Sequence, residues 1–337
     1  MGALPSRIQK GESGGCGVTP AEFAPGLEGV FYDLPDPVYR QAPGVSNSMR
    51  KHVCANGNDP GSPAHYQVYL KDPSRLTKPM LMGRLVHGAI LQPDEPLPAI
   101  AIQPTERAAV AGDSAVKQKK VGVGEMIPWH NGSKVCKEWN AAQELAGNSI
   151  LTQGEYDNLC GIVKSIAAHP AASAALKSGH AEVSLFKRLW RNIEDRQRVI
   201  LRKARLDWVT PGNAIVDIKT TTDARRDQFG DTMYKLQYYV QAAYYLDIWN
   251  DLHPAQPKEV FVFIAVEKKP PYAVNVLEVH QNAIAAGREQ YMRDLNILMT
   301  CEETESWPAY GEDISGVDLP QYAYRKEAGQ FTTPSDT

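Results

Sequence analysis

The chain has 337 residues, enough for one large domain or two small ones, with an ordinary apolar fraction of 43%. Its net charge of −3 excludes a protein that binds polyanions over its whole surface, so any nucleic-acid contact has to come from a local basic region. The five cysteines form no C-x-x-C pair and no apolar run is long enough for a signal peptide or a membrane span, which together favour a cytoplasmic protein without a disulfide framework or a cysteine-bound metal.

Two stretches precede the strands. Residues 1–44 are rich in Gly, Pro and Ser and have no sustained period, which is typical of an irregular or disordered arm. Residues 45–180 carry helix patterns, with one short strand expected at 99–102 and a loop after it. Helix-start signals, namely Ser before Pro, Lys-Pro and a capping box, stand at Ser62-Pro63, Lys78-Pro79 and Thr152 with Glu155.

From residue 181 the pattern changes to strands, and the order of elements is β-β-β-α-β-β-α. Strands are predicted at 181–186, 198–209, 214–220, 260–266 and 272–279, and helices at 228–249 and 282–300. This order predicts an α/β core with a mixed sheet. The expected organisation is one domain over 45–325, with a helical part (45–180), a sheet core (181–300) and a C-terminal wrap (301–325), followed by a tail (326–337).

Charged residues stand inside two of these apolar strands. Pro211-Gly212-Asn213 has the composition of a tight turn, which predicts that the strands on either side form a hairpin. Asp217 and Lys219 are two positions apart and therefore share one face of their strand, and Asp207 lies on the partner strand. Burial of such groups without a use is costly, so their placement indicates a site.

The chemistry of these residues favours a metal-dependent hydrolase. Three carboxylates on adjacent strands, Glu182, Asp207 and Asp217, can hold a hard divalent cation such as Mg²⁺, which prefers oxygen ligands. Lys219 beside that cation can orient or deprotonate a bound water, or offset the charge that develops on a phosphate. The alternative is an ordinary exposed hairpin and, for Glu182, a strand residue that faces solvent.

The motif Asp207…Asp217-Ile218-Lys219 resembles that of the PD-(D/E)XK nuclease superfamily, with Leu206 in place of the proline. Further markers in the same order along the chain are Ser62–Tyr66, Met82–His87, Leu91–Pro93, Ala204–Asp207, Val216–Thr221 and Tyr238–Tyr245. With these markers, roughly residues 45–325 resemble the RecE-like, exodeoxyribonuclease VIII-like exonucleases of phages and prophages.

The resemblance implies a restriction-endonuclease-like core, with a central mixed sheet flanked by helices and a helical N-terminal region. It implies a Mg²⁺-dependent exonuclease, with Mn²⁺ as a substitute, that degrades linear double-stranded DNA 5′→3′ and leaves 3′ tails for recombination by strand annealing. The implied partners are double-stranded DNA ends, a RecT-like single-strand annealing protein and further copies of the chain in a ring-shaped tetramer, with no membrane, in the cytoplasm of a bacterial host cell.

The resemblance also adds site residues. His87 matches a metal-binding histidine on an early helix, although a lone histidine on an apolar helix face is more often a core residue, and the carbonyl of Ile218 matches a further metal ligand. Gln241 and Tyr245 match a Q-x-x-x-Y element on one helix face, with Tyr238 one turn before. These three either position the catalytic strands and DNA or pack as an ordinary amphipathic helix.

Basic residues near the catalytic strands are the expected DNA contacts, because Arg and Lys neutralise phosphates. The expected contacts are Arg202, Arg205, Arg225 and Arg226, with Thr220 and Thr221 as hydroxyl donors or simple strand-end residues. The stretch 191–198 is expected to be a solvated hairpin. The alternatives for the whole chain are a PD-(D/E)XK endonuclease, a Cas4-like nuclease, which the cysteine pattern disfavours, and a non-catalytic DNA-binding scaffold.

Overall fold

The computed structural model describes residues 28–54, 60–72, 77–118, 120–311 and 313–319. Within these residues the strands are β1 (Gly29–Phe31), β2 (Ile100–Ile102), β3 (Glu106–Ala108), β4 (Met126–Pro128), β5 (Ser149–Leu151), β6 (His180–Ile193), β7 (Arg196–Val209), β8 (Ala214–Thr221), β9 (Val260–Glu267) and β10 (Val274–Glu278). The helices are α1 (Asp36–Gln41), α2 (Asn47–Arg50), α3 (Pro63–Lys71), α4 (Lys78–Leu91), α5 (Ser114–Lys117), α6 (Lys134–Leu145), α7 (Gln153–Ala168), α8 (Pro170–Ala175), α9 (Arg226–Lys235), α10 (Tyr238–Leu252) and α11 (Gln281–Thr304).

The centre of the fold is a mixed sheet in the order β1-β6-β7-β8-β9-β10. Strands β8 and β9 run parallel, joined by the crossover through α9 and α10, and the other neighbours run antiparallel. Two small sheets, β2 with β5 and β3 with β4, belong to the helical half. The predicted α/β class with a mixed central sheet is therefore confirmed. No described helix is long and apolar enough to cross a membrane.

Helices cover both faces of the sheet, so alternate residues of its central strands enter different cores. On β8, Ile215 packs on the side of α10 and α11, whereas Val216 and Ile218 pack on the side of α4 and α7. Asp217 and Lys219 have the parity of Ile215 and lie under α10. Asp217 is buried in this position and Lys219 is half-buried, which makes their partners decisive for the fold.

The predicted helix starts are observed with their side-chain caps. The hydroxyl of Ser62 accepts from the amide of His65 at the start of α3. At the start of α7 the Thr152 hydroxyl accepts from the Glu155 amide and the Glu155 carboxylate accepts from the Thr152 amide, which is the full capping box. These contacts satisfy amide groups that have no partner within the helix.

The structure differs from the predicted elements in several places, and β6 in particular extends to Ile193, past the predicted end at residue 186. The single helix over 228–249 is two helices, because Gln237 adopts φ +55° and turns the chain between α9 and α10. Part of the arm expected to be irregular is ordered: β1 extends the sheet by pairing with β6, and α1 follows it. The stretch after β2 contains β3 and α5 rather than loop alone. Residues 1–27 and the predicted tail lie outside the described residues.

Candidate metal centre

Strands β7 and β8 pair beside their turn and then separate. Their register joins Trp208 to Val216 and Val209 to Ile215. Farther from the turn, the amide of Ile218 donates to Asp207 Oδ2 at 2.9 Å, so a side chain replaces the main-chain partner. This exchange opens a gap between two core strands and turns one oxygen of Asp207 into it.

The neighbouring pair, β6 with β7, is interrupted at the same level. Its register passes from Ala181 opposite Trp208 to Val183 opposite Leu206 and leaves out Glu182 and Asp207. Glu182 has φ +51°, in the left-handed region that residues other than glycine seldom adopt. Backbone of this kind persists only where the surrounding structure holds it, and it clusters at functional sites. The result is that the carboxylate of Glu182 lies close to that of Asp207.

Helix α4 brings His87 to the gap. Its Nε2 lies 2.9 Å from the carbonyl oxygen of Ile218, and its Nδ1 lies 3.5 Å from Asp207 Oδ2. With the proton on Nε2, that nitrogen donates to the carbonyl and the lone pair of Nδ1 faces a carboxylate. The ligand atoms of His87, Glu182 and Asp207 all lie within 4.8 Å of one another. The Ile218 carbonyl, predicted as a metal ligand, already accepts a hydrogen bond from the imidazole.

Asp217 and Lys219 form a second group beside this cluster. The side chain of Asp217 is 1% exposed, and its Oδ1 accepts from the amide of Gln241. Lys219 Nζ lies 2.6 Å from Oδ2, an ion pair outside good hydrogen-bond geometry, and 4.7 Å from the centre of the Tyr238 ring. Asp217 is therefore held by a lysine and an amide and is not a member of the three-residue cluster.

The charges of the site shift its pKa values in a consistent way. Burial, reinforced by the charge of Asp207, raises the pKa of Glu182. Burial, reinforced by the charge of Asp217, raises the pKa of Asp207. Burial alone would lower the pKa of Lys219, but the charges of Asp217 and Asp207 outweigh it and raise that pKa above its usual value. The pKa values of Glu182 and Asp207 are thus raised even though Arg205 pairs with Glu182, whereas Lys219 stays protonated.

The donor set fits a divalent cation. Two crowded carboxylates and an imidazole lone pair, all directed at one small volume, repel one another until a cation lies between them. Carboxylates suit Mg²⁺ and Mn²⁺, and an imidazole suits transition metals such as Mn²⁺ better than Mg²⁺. The cluster opens on a cavity of about 820 Å³ that also reaches Lys219 and Tyr245.

Two of the four arginines predicted to contact DNA are mostly buried and lie in ion pairs within the protein. Arg202 is 1% exposed and pairs with Asp251, so its guanidinium is unavailable to DNA and that prediction is wrong. Arg205 is largely buried and its Nε lies 2.7 Å from Glu182 Oε2. The strand pattern could not reveal these partners, because they come from distant parts of the chain.

The remaining predicted residues have different surroundings. The Thr221 hydroxyl stabilises a turn through the backbone of Asp223, whereas Thr220 lines the entrance to the site. Arg225 is exposed and pairs with Asp223, and Arg226 is exposed at the start of α9. These arginines remain accessible from solvent.

Sequence reasoning missed a group of residues on the other wall of the cavity. Asp36 and Arg40 on α1, and Arg84 on α4, line the same opening as His87. Arg84 stands three positions before His87 and therefore shares its helix face. The signal that could have found α1 lies in Pro35-Asp36-Pro37, a proline in the first turn with an acidic residue, which is typical of a helix start.

A mixed sheet with helices on both faces, an interrupted strand pair and carboxylates beside a lysine define a PD-(D/E)XK-type core. In agreement, residues 46–320 match the model of the family described as PDDEXK-like domain of unknown function (DUF3799), and the chain belongs to that family. No curated protein matches the sequence.

Solved structures show more distant likeness. A protein provisionally assigned as an exonuclease, from Eubacterium rectale, superposes with a TM-score of 0.49 at 12% identity, over 84% of this chain and 92% of that one. The protein SSO0001 superposes with a TM-score of 0.25 at 15% identity, over 48% of this chain and 66% of that one. Both scores lie below 0.5, so the function rests on the site and the family.

Proposed function

We propose that the protein is a divalent-metal-dependent deoxyribonuclease that degrades linear double-stranded DNA from its ends, 5′→3′, to leave 3′ single-stranded tails for recombination. The observation that carries the hydrolase assignment is the cluster of His87, Glu182 and Asp207 beside a protonated lysine, at an open cavity. The exonuclease mode and the polarity rest on the resemblance of the sequence to RecE-like enzymes.

The residues have separate roles in the proposed reaction. His87, Glu182 and Asp207 would hold the cation, which supplies a Lewis acid at the scissile phosphate and a water of lowered pKa. Lys219 places a fixed positive charge beside the phosphate, where negative charge develops. Because its Nζ lies 2.6 Å from Asp217 Oδ2, this lysine is assigned the role of a cation rather than that of the base that deprotonates water. Gln241 and Tyr238 hold Asp217 and Lys219 in position.

Digestion of matched DNA substrates tests the proposal. Linear and covalently closed duplexes of the same sequence are incubated with the protein in Mg²⁺, in Mn²⁺ and in chelator. We expect loss of the linear duplex alone, in either metal, with no loss in chelator. End-labelled linear duplex then gives the polarity, and release of label from 5′ ends first is expected. Nicking of the closed circle would identify an endonuclease, and DNA binding without cleavage would identify a scaffold.

The proposed setting follows from the same resemblance. The resemblance implies a RecT-like single-strand annealing protein, which would coat the 3′ tail, and such a partner is therefore proposed. A ring-shaped tetramer of this chain around DNA would make digestion processive. Sedimentation of the purified protein, alone and with a blunt duplex, tests the oligomeric state.

A further inference from the structure

Three arginines from different elements converge on one carboxylate beside the metal cluster. Asp36 Oδ2 lies 2.6 Å from Arg40 Nε and 3.2 Å from Arg84 Nη2, and Asp36 Oδ1 lies 3.4 Å from Arg205 Nη1. A single carboxylate cannot neutralise three guanidinium groups. Even with Glu182, which pairs with Arg205, this group keeps an excess of positive charge.

Two of the three arginines lie close in sequence to residues of the metal cluster. Arg84 lies one helical turn from His87, and Arg205 lies two strand positions from Asp207. The side chains of Arg40 and Arg84 are 61% and 52% exposed and line the opening above Lys219. A phosphate that reaches these two arginines therefore lies beside the one at the metal centre.

Helix α1 is anchored at both ends, since Arg205 Nη2 also donates to the carbonyl of Leu34 just before the helix, but the side chain of Asp36 is not buried. Near its C-terminus, Tyr39 packs against Phe186, and Lys203 Nζ donates to the carbonyls of Tyr39, Arg40 and Ala42. At the other end, Asp36 is 37% exposed and its side chain contacts the three arginines. Exposed ion pairs are weak and exchange readily, so a stronger anion can replace this carboxylate.

We infer that Arg40 and Arg84 form a binding site for a DNA phosphate next to the metal cluster, and that the carboxylate of Asp36 occupies this site in the free protein. The inference rests on the proposed function, because it concerns the same substrate. Guanidinium groups bind phosphate oxygens as they bind carboxylates, and a phosphate offers more acceptor oxygens than Asp36 does. Asp36 thereby keeps the arginines ordered in the free protein and competes with the substrate.

Duplex binding, measured by fluorescence anisotropy with Ca²⁺ in place of Mg²⁺, tests the inference in the full chain. We expect Asp36→Asn to tighten binding three- to tenfold, because a competing charge is removed. Arg40→Gln and Arg84→Gln should each weaken it about tenfold and lower the slope of log K against log salt by about one. If Asp36 served only to hold the arginines in place, Asp36→Asn would weaken duplex binding instead of tightening it.

Arg196→Gln is the matched control. It also removes an arginine from an exposed ion pair, with Glu303, but lies eleven positions before Asp207 on β7, at roughly 3.3 Å per residue about 35 Å away. If Arg84→Gln binds DNA as Arg196→Gln does, or if Asp36→Asn leaves binding unchanged, the inference fails. Equal effects with 5′-phosphate and 5′-hydroxyl ends identify an internal phosphate, and an effect confined to 5′-phosphate ends identifies a terminal one.

The two proposals fail in different ways. A wild-type protein that binds duplex DNA and responds to Asp36→Asn as expected, yet cleaves no substrate, contradicts the nuclease and supports the phosphate site. A protein that cleaves linear DNA while all three variants bind as wild type contradicts the phosphate site alone. Absence of DNA binding by the wild-type chain overturns the inference.

Discussion

Asp217 and Lys219 depend on each other for stability as well as for chemistry. We expect Asp217→Ala to reduce cleavage at least as strongly as loss of Lys219 does and also to lower the free energy of unfolding by about 3 kcal/mol, because it leaves the Lys219 ammonium group and the Gln241 amide without their partner. Lys219→Met should reduce turnover about 10²- to 10³-fold with little change in Mg²⁺ affinity. Urea denaturation, calorimetric Mg²⁺ titration and single-turnover digestion give the three quantities.

The double variant is the control for this pair. Asp217→Ala/Lys219→Met should recover part of the lost stability, since no charge is left unpaired, but none of the activity. A double variant as unstable as the sum of the single variants would show that the pair is not coupled. A Lys219→Met protein impaired in metal affinity alone would contradict the role given to the lysine.

The raised pKa of Asp207 has a consequence for the metal-free protein. A carboxyl group whose pKa is higher in the folded state contributes stability below its unfolded pKa of about 4, and that contribution is lost as the pH rises through the folded value. In chelator at pH 8, Asp207→Asn should therefore be more stable than wild type, with the difference vanishing below about pH 4. Thermal unfolding across pH measures it.

Asp223 provides a control of opposite sign. Its hydrogen bonds with Arg225 lower its pKa, so its contribution is present at neutral pH and is lost on acidification. Asp223→Asn should be slightly less stable than wild type at pH 8. If Asp207→Asn were also less stable than wild type at pH 8 in chelator, crowding of carboxylates would not explain the raised pKa of Asp207.

At the scale of elements, a buried network holds the corner between α9 and α10. Arg50 on α2 pairs with Asp294 on α11 and donates to the side chain of Gln237, the residue with φ +55° at the corner. Gln241, which binds Asp217, lies one turn farther along α10. Arg50 is thus connected to the site through α10.

We expect Arg50→Met to lower the free energy of unfolding by about 3–5 kcal/mol, because Asp294 is left buried without its cation. The turnover of the folded fraction should fall as Gln241 shifts. Lys51→Met is the control: Lys51 is adjacent and also reaches the corner, through the Leu236 carbonyl, but that contact is exposed to solvent. A change of less than about 1 kcal/mol is expected for it. Equal effects of the two substitutions would contradict a specific role for the buried network.

Most of the elements could be predicted because their signals are local. Period-two alternation identifies the shared face of Asp217 and Lys219, and caps such as Ser62 mark helix starts. The break at Gln237 has no such signal: glutamine does not favour positive φ, and a buried arginine from α2 supports the turn. A local sequence pattern could not predict a turn that depends on contact with a distant residue.

The same limit applies to the site. Spacing alone does not bring His87 to Asp207, and only the resemblance of the sequence to a family identifies that histidine. The expectation that Arg202 contacts DNA follows from its place on a catalytic strand, yet Asp251 from α10 neutralises it within the protein. Asp36 and Arg84 meet only in the folded chain, 48 positions apart.

At the scale of the molecule, the metal centre joins two halves of the chain that are far apart in sequence. His87 belongs to the helical half and Asp207 to the sheet, 120 positions later. Coordination of one cation by both residues would act as a reversible cross-link across that loop, comparable in its effect on chain entropy with a disulfide of the same span. Divalent cations should therefore slow amide hydrogen exchange in α4 more than in α11, which contributes no ligand to the cluster. The protein would then couple the docking of its N-terminal half to the supply of metal.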